Sequence, residues 1–239
     1  KKTVWRDAIF GWKYLRSRPG LFGLLWYFAA ANFFLSAVTL LTVPLVLSYG
    51  TTIELGIVEA VIGTGALAGG LLISAGGGPK QHKIKIIFAS LATTGVGMFI
   101  IGSRANTWVI SIGFFLLMSM IPIASSISRG IFQAKVPASA QGRVFSIRLM
   151  IGRSIMPIAY LLSGLLADQY FIPLLKVDGA LSATLIADLI GVGPGRGYGL
   201  IIILAGVSII SITFLAFINK RIRYIEEEIP DAVEIEAGN

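Results

Sequence analysis

The stretch that decides the fold is residues 128–168, SRGIFQAKVPASAQGRVFSIRLMIGRSIMPIAYLLSGLLAD. It contains a short basic connection, with Arg129, Lys135, Arg143 and Arg148, between two long apolar runs. Roughly 20 apolar residues in a helix, rising ~1.5 Å each, cover the ~30 Å hydrocarbon core of a bilayer. Lys and Arg concentrated in short connections indicate the cytoplasmic side. The stretch therefore predicts a multi-pass membrane protein whose 128–144 connection lies in the cytoplasm.

The composition agrees with a lipid environment. The chain has 239 residues, of which 55% are hydrophobic and 13% charged, with a mean hydropathy of +0.83. Soluble domains average about 25% charged residues. The net charge of +8 comes from basic residues between apolar runs, which indicates anionic lipid headgroups rather than nucleic acid as the partner. The absence of cysteine excludes disulfides and thiolate metal sites. Since the sequence starts with two lysines and shows no cleavable signal peptide, we expect part of a longer polypeptide.

The hydropathy pattern predicts an all-α membrane protein in three parts: an amphipathic segment at 1–20, a six-helix transmembrane bundle at 21–219 and a cytoplasmic tail at 220–239. The predicted spans are about 21–47, 53–75, 84–103, 107–128, 144–167 and 198–219. With this division, seventeen of the 20 Lys and Arg lie on one side of the membrane. The positive-inside rule therefore predicts that both termini are cytoplasmic.

Glycine and loop patterns add two expectations. Gly65 and Gly69 form a small-xxx-small pair, which allows a neighbouring helix to approach closely. The connection at 168–197 is too polar to span, and we expect a short helix there against the membrane. Its segment 191–199, GVGPGRGYG, matches neither the GxGxxG nor the GxxxxGK[ST] phosphate-binding pattern and follows no strand, so we interpret it as a flexible outer loop.

Several segments resemble the C-terminal half of a major facilitator superfamily transporter. Residues 5–21, WRDAIFGWKYLRSRPGL, are similar to the end of the linker that joins the two six-helix halves in that family. Residues 137–150, PASAQGRVFSIRLM, and 157–168, PIAYLLSGLLAD, resemble the connection between the tenth and eleventh helices of its drug, macrolide and siderophore exporters. Residues 76–83, GGGPKQHK, occupy the place of its basic loop motif but lack the Asp-Arg pair.

The resemblance implies half of a 12-helix bundle that binds substrate near the bilayer midplane, against a missing N-terminal six-helix half. It implies an antiporter that exports a small amphiphilic drug, macrolide or siderophore-like molecule against proton entry, by alternating access. It also implies a location in the bacterial inner membrane, no cofactor and no covalent chemistry.

Polar residues inside the predicted spans are candidates for the substrate or proton pathway. Glu59 lies in the second span, where a carboxylate could carry a proton or pair with a cationic substrate, or could instead be solvated near the outer headgroups. Asn32, Ser36 and Thr39 recur at helical spacing on the first span, where they could line a pathway or bond to nearby backbone. Arg153 lies deep in the fifth span and could face a central cavity.

Polar and basic residues near the cytoplasmic edge are candidates for a gate. They are Arg129, Gln133, Arg143 and Arg148, with plain topology as the alternative function. We expect Arg148 to extend toward the inner surface. Since Arg148 and Arg153 are about 140° apart around a helix, we expect them on different faces. Aromatic residues on the first span could stack on a hydrophobic substrate or lie in the interfacial belt: Trp26, Tyr27, Phe33 and Phe34.

Two other classes of membrane protein have six spans. The membrane domain of an ATP-driven exporter needs long cytoplasmic helical extensions, whereas the predicted inner connections have only about 8 to 16 residues. A membrane enzyme needs clustered acids and histidines on its spans. The one histidine, His82, lies in a predicted cytosolic loop without partners, so it provides neither a metal site nor a catalytic pair.

Overall fold

The computed structural model of the chain describes residues 2–79 and 81–232, where it contains helices and their connections but no strand, which confirms the predicted fold class. Six helices are long and apolar enough to cross a membrane. The helices are α1 Lys2–Arg16, α2 Pro19–Leu47, α3 Thr52–Ala75, α4 Lys83–Ser103, α5 Thr107–Lys135, α6 Ala138–Leu166, α7 Ile172–Leu174, α8 Leu185–Ile190, α9 Arg196–Ile218, α10 Lys220–Arg223 and α11 Ile225–Glu228. The predicted tail segment at 233–239 lies outside the described residues, as do Lys1 and Lys80.

The helices α5 and α6 are longer than the apolar runs that predict them. The connection expected between 128 and 144 is helical except for Val136 and Pro137. Its residues, such as Gln133, Ala134 and Lys135, are good helix formers, so the helix continues beyond the part that lipid would cover. Pro137 ends this continuity, since its ring disfavours a helical conformation in the residue before it.

The core of the bundle is α4, which packs against both α5 and α9. Glycines make each of these contacts possible. A Cβ atom at Gly97 of α4 would lie 2.8 Å from the carbonyl oxygen of Gly113 on α5. A Cβ at Gly95 would lie 2.8 Å from the carbonyl oxygen of Gly206 on α9. The three helices therefore meet backbone to backbone, which maximises dispersion contacts where lipid supplies no hydrophobic driving force.

The predicted small-xxx-small pair also forms a helix contact. Gly65 and Gly69 are buried on α3 and face α5, where a Cβ at Gly65 would lie 3.0 Å from the carbonyl oxygen of Phe115. A Cβ at Gly69 would overlap the backbone of Ser119. Any larger residue at these two positions would push α3 away from α5.

Two of the spanning helices are poorly covered by the rest of the chain. In the most apolar part of α3, 17% of the residues are buried, and in that of α6 the share is 11%. The corresponding shares in the other four spanning helices are 39% to 56%. The uncovered faces of α3 and α6 therefore contact either lipid or another polypeptide.

The amphipathic helix α1 packs against the start of α6. Leu15 is fully buried, and Gly11 contacts the backbone of Arg143, whereas Trp5 is 76% exposed. The Arg143 Nε atom lies 3.3 Å from Asp7 Oδ1 and fastens the two helices at the surface. The apolar side of α1 is thus divided between the bundle and its surroundings.

The segment after α9 folds back onto the same end of the bundle. Lys135, at the end of α5, is buried, and its Nζ atom donates a hydrogen bond to the Glu226 carbonyl oxygen at 2.9 Å. The same Nζ atom lies 3.0 Å from Asp231 Oδ1. The Glu226 carboxylate accepts hydrogen bonds from the backbone N–H groups of Lys83 and Ile84, at 3.1 and 3.2 Å. The segment therefore caps the otherwise unsatisfied start of α4.

The connection between α6 and α9 contains a π-helical turn at Ala167–Phe171 and the short helices α7 and α8. The glycine-rich loop that follows is more closely fastened than expected. Arg196 is only 3% exposed, and its Nη1 atom donates to the Ile190 carbonyl oxygen at 2.8 Å. Three glycines with positive φ, Gly191, Gly193 and Gly195, allow the chain to fold around this side chain.

Candidate functional site

A cavity of about 510 Å³ lies between α2, α5 and α6. Seven of its lining residues are asparagine, serine, threonine or arginine, and most of the others are apolar. The seven are Asn32, Ser36, Thr39, Ser125, Arg129, Arg148 and Arg153. Six of these seven are among the nine residues predicted for the pathway or the gate, and the seventh, Ser125, comes from the serine-containing part of α5. The fold brings Asn32, Ser36, Thr39 and Arg153 together with Arg129 and Arg148.

The α2 wall of the cavity is polar, but its two hydroxyl groups already donate hydrogen bonds to their own helix. The Ser36 hydroxyl donates to the Asn32 carbonyl oxygen at 2.7 Å, and the Thr39 hydroxyl donates to the Leu35 carbonyl oxygen at 3.0 Å. Both hydroxyl protons are thereby satisfied within the helix. The Asn32 side chain lies across from α6, where a Cβ at Gly152 would be 3.6 Å from its Nδ2 atom. Asn32 is thus the residue of this wall with donors and an acceptor directed at the cavity.

Arg148 is held in a defined position on the opposite wall. Its Nη2 atom donates to Ser128 Oγ on α5 at 2.7 Å. Its guanidinium carbon lies 4.5 Å from the ring centroid of Phe132 and 5.7 Å from that of Phe28. The side chain is half-buried against α5, where the aromatic faces attract the cation. Ser128 and Phe132 lie toward the end of α5 that joins α6, so the extension of Arg148 toward the inner surface stays a prediction.

Arg153 and Arg148 line the same cavity although they lie about 140° apart around α6. The cavity wraps far enough around α6 that positions 140° apart both border it. Arg153 is exposed and lies fifteen residues after Ala138, ~22 Å along a helix ~43 Å in length. Its charge is therefore near the middle of α6.

Three predicted residues lie outside the cavity. Glu59 is exposed on α3. Gln133 is exposed, and its carbonyl oxygen accepts a hydrogen bond from the Gln141 side chain at 3.0 Å. Arg143 contacts α1, with its guanidinium carbon 4.6 Å from the ring centroid of Phe10. The structure thus separates these residues from the other six.

The aromatic candidates are also placed outside the cavity. Tyr27 is buried, and its phenol is 2.8 Å from the Thr213 hydroxyl of α9. Trp26 is 45% exposed, and the rings of Phe33 and Phe34 contact each other edge to face. None of the four borders the cavity, which is consistent with packing and interfacial functions.

Sequence reasoning missed the apolar part of the lining. Phe28 is one helical turn before Asn32, Met156 is three residues after Arg153, and Tyr160 is four residues after Met156. Extending the polar stripe of each helix by i±3 and i±4 would have found them. The sequence gives no sign that Gly152 lines the cavity, because a glycine contributes only the space that a side chain would otherwise fill.

The fold and the cavity define a class: an integral membrane protein with six helices long and apolar enough to span the bilayer, three of which line a polar pocket. The chain is similar to Macrolide efflux protein A from Streptococcus pyogenes, with 31% identity over 173 residues, which are 69% of this chain and 41% of the relative. It is also similar to a protein of that name from Enterococcus faecalis, with 30% identity over 162 residues, 64% of this chain and 48% of the relative. No family model matches the chain, and neither does any solved structure.

These similarities confirm the predicted resemblance to drug and macrolide exporters. The chain is a homologue of macrolide efflux proteins, and its six apolar helices fit half of a major-facilitator transporter. The chain spans less than half the length of these relatives. They are named as efflux proteins rather than as enzymes.

Proposed function

We propose that this six-helix bundle is the C-terminal half of a secondary transporter of the major facilitator superfamily, which exports a small amphiphilic molecule by alternating access. The observation that carries this proposal is the cavity between α2, α5 and α6, where polar groups are collected inside an apolar bundle. Relatives named as macrolide efflux proteins support the direction of transport and a drug, macrolide or siderophore-like substrate.

The partner of the bundle would be an N-terminal six-helix half. The relatives are more than twice as long as the matched segment, which leaves room for such a half. It would cover the exposed faces of α3 and α6 and close the cavity on its open side, where Leu149 and Arg153 are exposed. The two bundles would then rock about the cavity.

Export would be coupled to proton entry. The test measures the accumulation of radiolabelled macrolide and of amphiphiles of either charge in cells that express the complete gene product. We expect a protonophore to raise accumulation to the level of cells without the protein. Export that survives the protonophore and stops when ATP is depleted would contradict the proposal and favour an ATP-driven exporter.

Glu59 is the proposed proton carrier, because a carboxylate within a spanning helix is costly unless it has a function. The variant Glu59→Gln should abolish protonophore-sensitive export. The matched control is Asp178→Asn, which neutralises an exposed acid in the connection between α6 and α9. Equal export by both variants would remove Glu59 from the mechanism.

The proposed orientation places both termini in the cytoplasm of a bacterial inner membrane. It is tested by single cysteines, introduced at Lys83, Arg143 and Lys176 and labelled with a membrane-impermeant maleimide. We expect Lys176 to be labelled in intact cells, and the other two positions only after permeabilisation. Labelling of Lys83 and Arg143 from opposite sides would refute the topology.

A further inference from the structure

The charges of the cavity between α2, α5 and α6 are all of one sign. Arg129, Arg148 and Arg153 line it, and none of its lining residues is an Asp or a Glu. Within residues 2–79 and 81–232, the two ion pairs are Lys135 with Asp231 and Arg143 with Asp7. The three cavity arginines therefore have no carboxylate partner in the described part of the chain.

Such cations are expensive to keep in an apolar bundle. Arginine stays protonated at any physiological pH, so the site cannot relieve the cost by releasing a proton. Arginines within spanning segments pair with an acid, a carbonyl or an anionic ligand. The absence of an acid in the lining leaves the cavity with an attraction for negative charge.

The arginines are arranged along the cavity rather than at one point. Arg129 lies six residues before the end of α5, ~9 Å from it, whereas Arg153 lies ~22 Å from the start of α6. Arg148 lies between them and is held by Ser128 and Phe132, so its fork of donors is ordered before any ligand arrives. Preorganised donors of this kind bind an oxyanion with little further loss of entropy.

The remaining lining is hydrocarbon. Leu25, Phe28, Leu35, Ile121 and Met156 form the walls around the cations. A ligand that satisfies both parts of the lining has an apolar body and an acidic head. A cationic amphiphile would satisfy the walls and be repelled by the three guanidinium groups.

We propose that the cavity binds an anionic amphiphile, whose carboxylate or other oxyanion is held by Arg148 and Arg153. This inference rests on the proposed function, because it assigns a substrate class to the same transport site. It narrows that class to molecules with an acidic group, and Arg148 and Arg153 become the residues that select them.

The test uses the complete gene product in phosphatidylcholine nanodiscs and two fluorescent probes with one body. The probes are 11-(dansylamino)undecanoic acid and its methyl ester, with binding to empty nanodiscs subtracted. We expect the acid to bind about tenfold more tightly than the ester, the factor that one charge-assisted hydrogen bond supplies. Equal binding of the two probes, or tighter binding of a trimethylammonium analogue, would overturn the proposal.

Variants separate the cavity from general surface charge. Arg148→Gln and Arg153→Gln should reduce the affinity for the acid to that for the ester and leave the ester unchanged. Arg153→Lys keeps the charge and should retain most of the preference. Arg16→Gln removes an exposed arginine of α1 and should change neither affinity. A preference for the acid that survives both glutamine variants would refute the assignment, and unchanged ester binding shows that the variants are folded.

The lipid composition distinguishes a transported anion from a lipid headgroup. Replacing a third of the phosphatidylcholine by phosphatidylglycerol should leave the acid's saturable binding within about twofold, once partitioning is subtracted. Loss of that binding would show that anionic lipid occupies the cavity and would overturn the proposal. Acid preference without export in cells would refute only the transport function, whereas export without acid preference would refute only this inference.

Discussion

The crossing of α4 and α9 should tolerate no side chain at Gly206. A Cβ at this position would lie 2.6 Å from the Gly95 carbonyl oxygen and 2.9 Å from the Met98 Cβ atom. Both neighbours are part of a backbone or attached directly to it, so a rotamer change cannot relieve the overlap. We expect Gly206→Ala to separate the helices by several tenths of an ångström and to lower the free energy of unfolding by about 1–3 kcal/mol, the usual cost of overpacking.

The matched control is Gly63→Ala on α3, where a Cβ would meet nothing within 4 Å. The same chemical change there should be neutral or should stabilise the protein by up to about 1 kcal/mol, through the higher helix propensity of alanine. Both variants of the complete gene product are unfolded by sodium dodecyl sulfate in mixed micelles and followed by circular dichroism. Unfolding of Gly206→Ala and Gly63→Ala at the same detergent fraction would refute the close backbone contact between α4 and α9.

Three further variants test single contacts by the same unfolding assay. Tyr27→Phe removes the buried hydrogen bond to Thr213 and should cost about 0.5–1.5 kcal/mol, and an unchanged midpoint would mean that this bond is absent. Glu226→Ala removes the acceptor at the start of α4 and should lower the free energy of unfolding by about 1 kcal/mol, and Glu226→Gln should lower it by less. Equal effects of the two variants would show that the charge of the carboxylate does not contribute. Lys135→Met should cost about 1–3 kcal/mol and increase proteolysis after α9, and unchanged proteolysis would show that Lys135 does not hold this segment.

The parts of the fold that follow from one helix at a time were predictable. Six apolar runs gave six spanning helices, because length and hydropathy are local properties. The Gly65 and Gly69 contact followed from a spacing of four residues on one helix. The end of α5 and the start of α6 were not predictable in this way. The length of an apolar run gives the part of a helix that lies in lipid, whereas Gln133 to Lys135 are polar or small residues that continue α5 beyond it.

The sequence predicted which residues belong to the candidate site but not how they contact one another. Asn32, Ser36 and Arg153 stand out as polar residues in apolar runs, and the cavity contains all three. The partners of Arg148 were hidden, because Ser128 and Phe132 are on another helix and the contact depends on how α5 crosses α6. Gly95 and Gly206 were equally hidden, since each looks unremarkable until two helices bring them face to face.

The two-residue connection between α5 and α6 acts mechanically as a clasp. Three Cα–Cα steps of 3.8 Å separate Lys135 from Ala138, so these helix ends stay within about 11 Å of each other in any conformation. That limit is close to the spacing of ordinary packed helices, about 8–10 Å. The helices α5 and α6 can therefore separate only by pivoting about this connection, so the widest gap opens at the ends remote from Val136 and Pro137. A bulky ligand therefore cannot pass between α5 and α6 near this connection, and must enter and leave the cavity farther along the two helices.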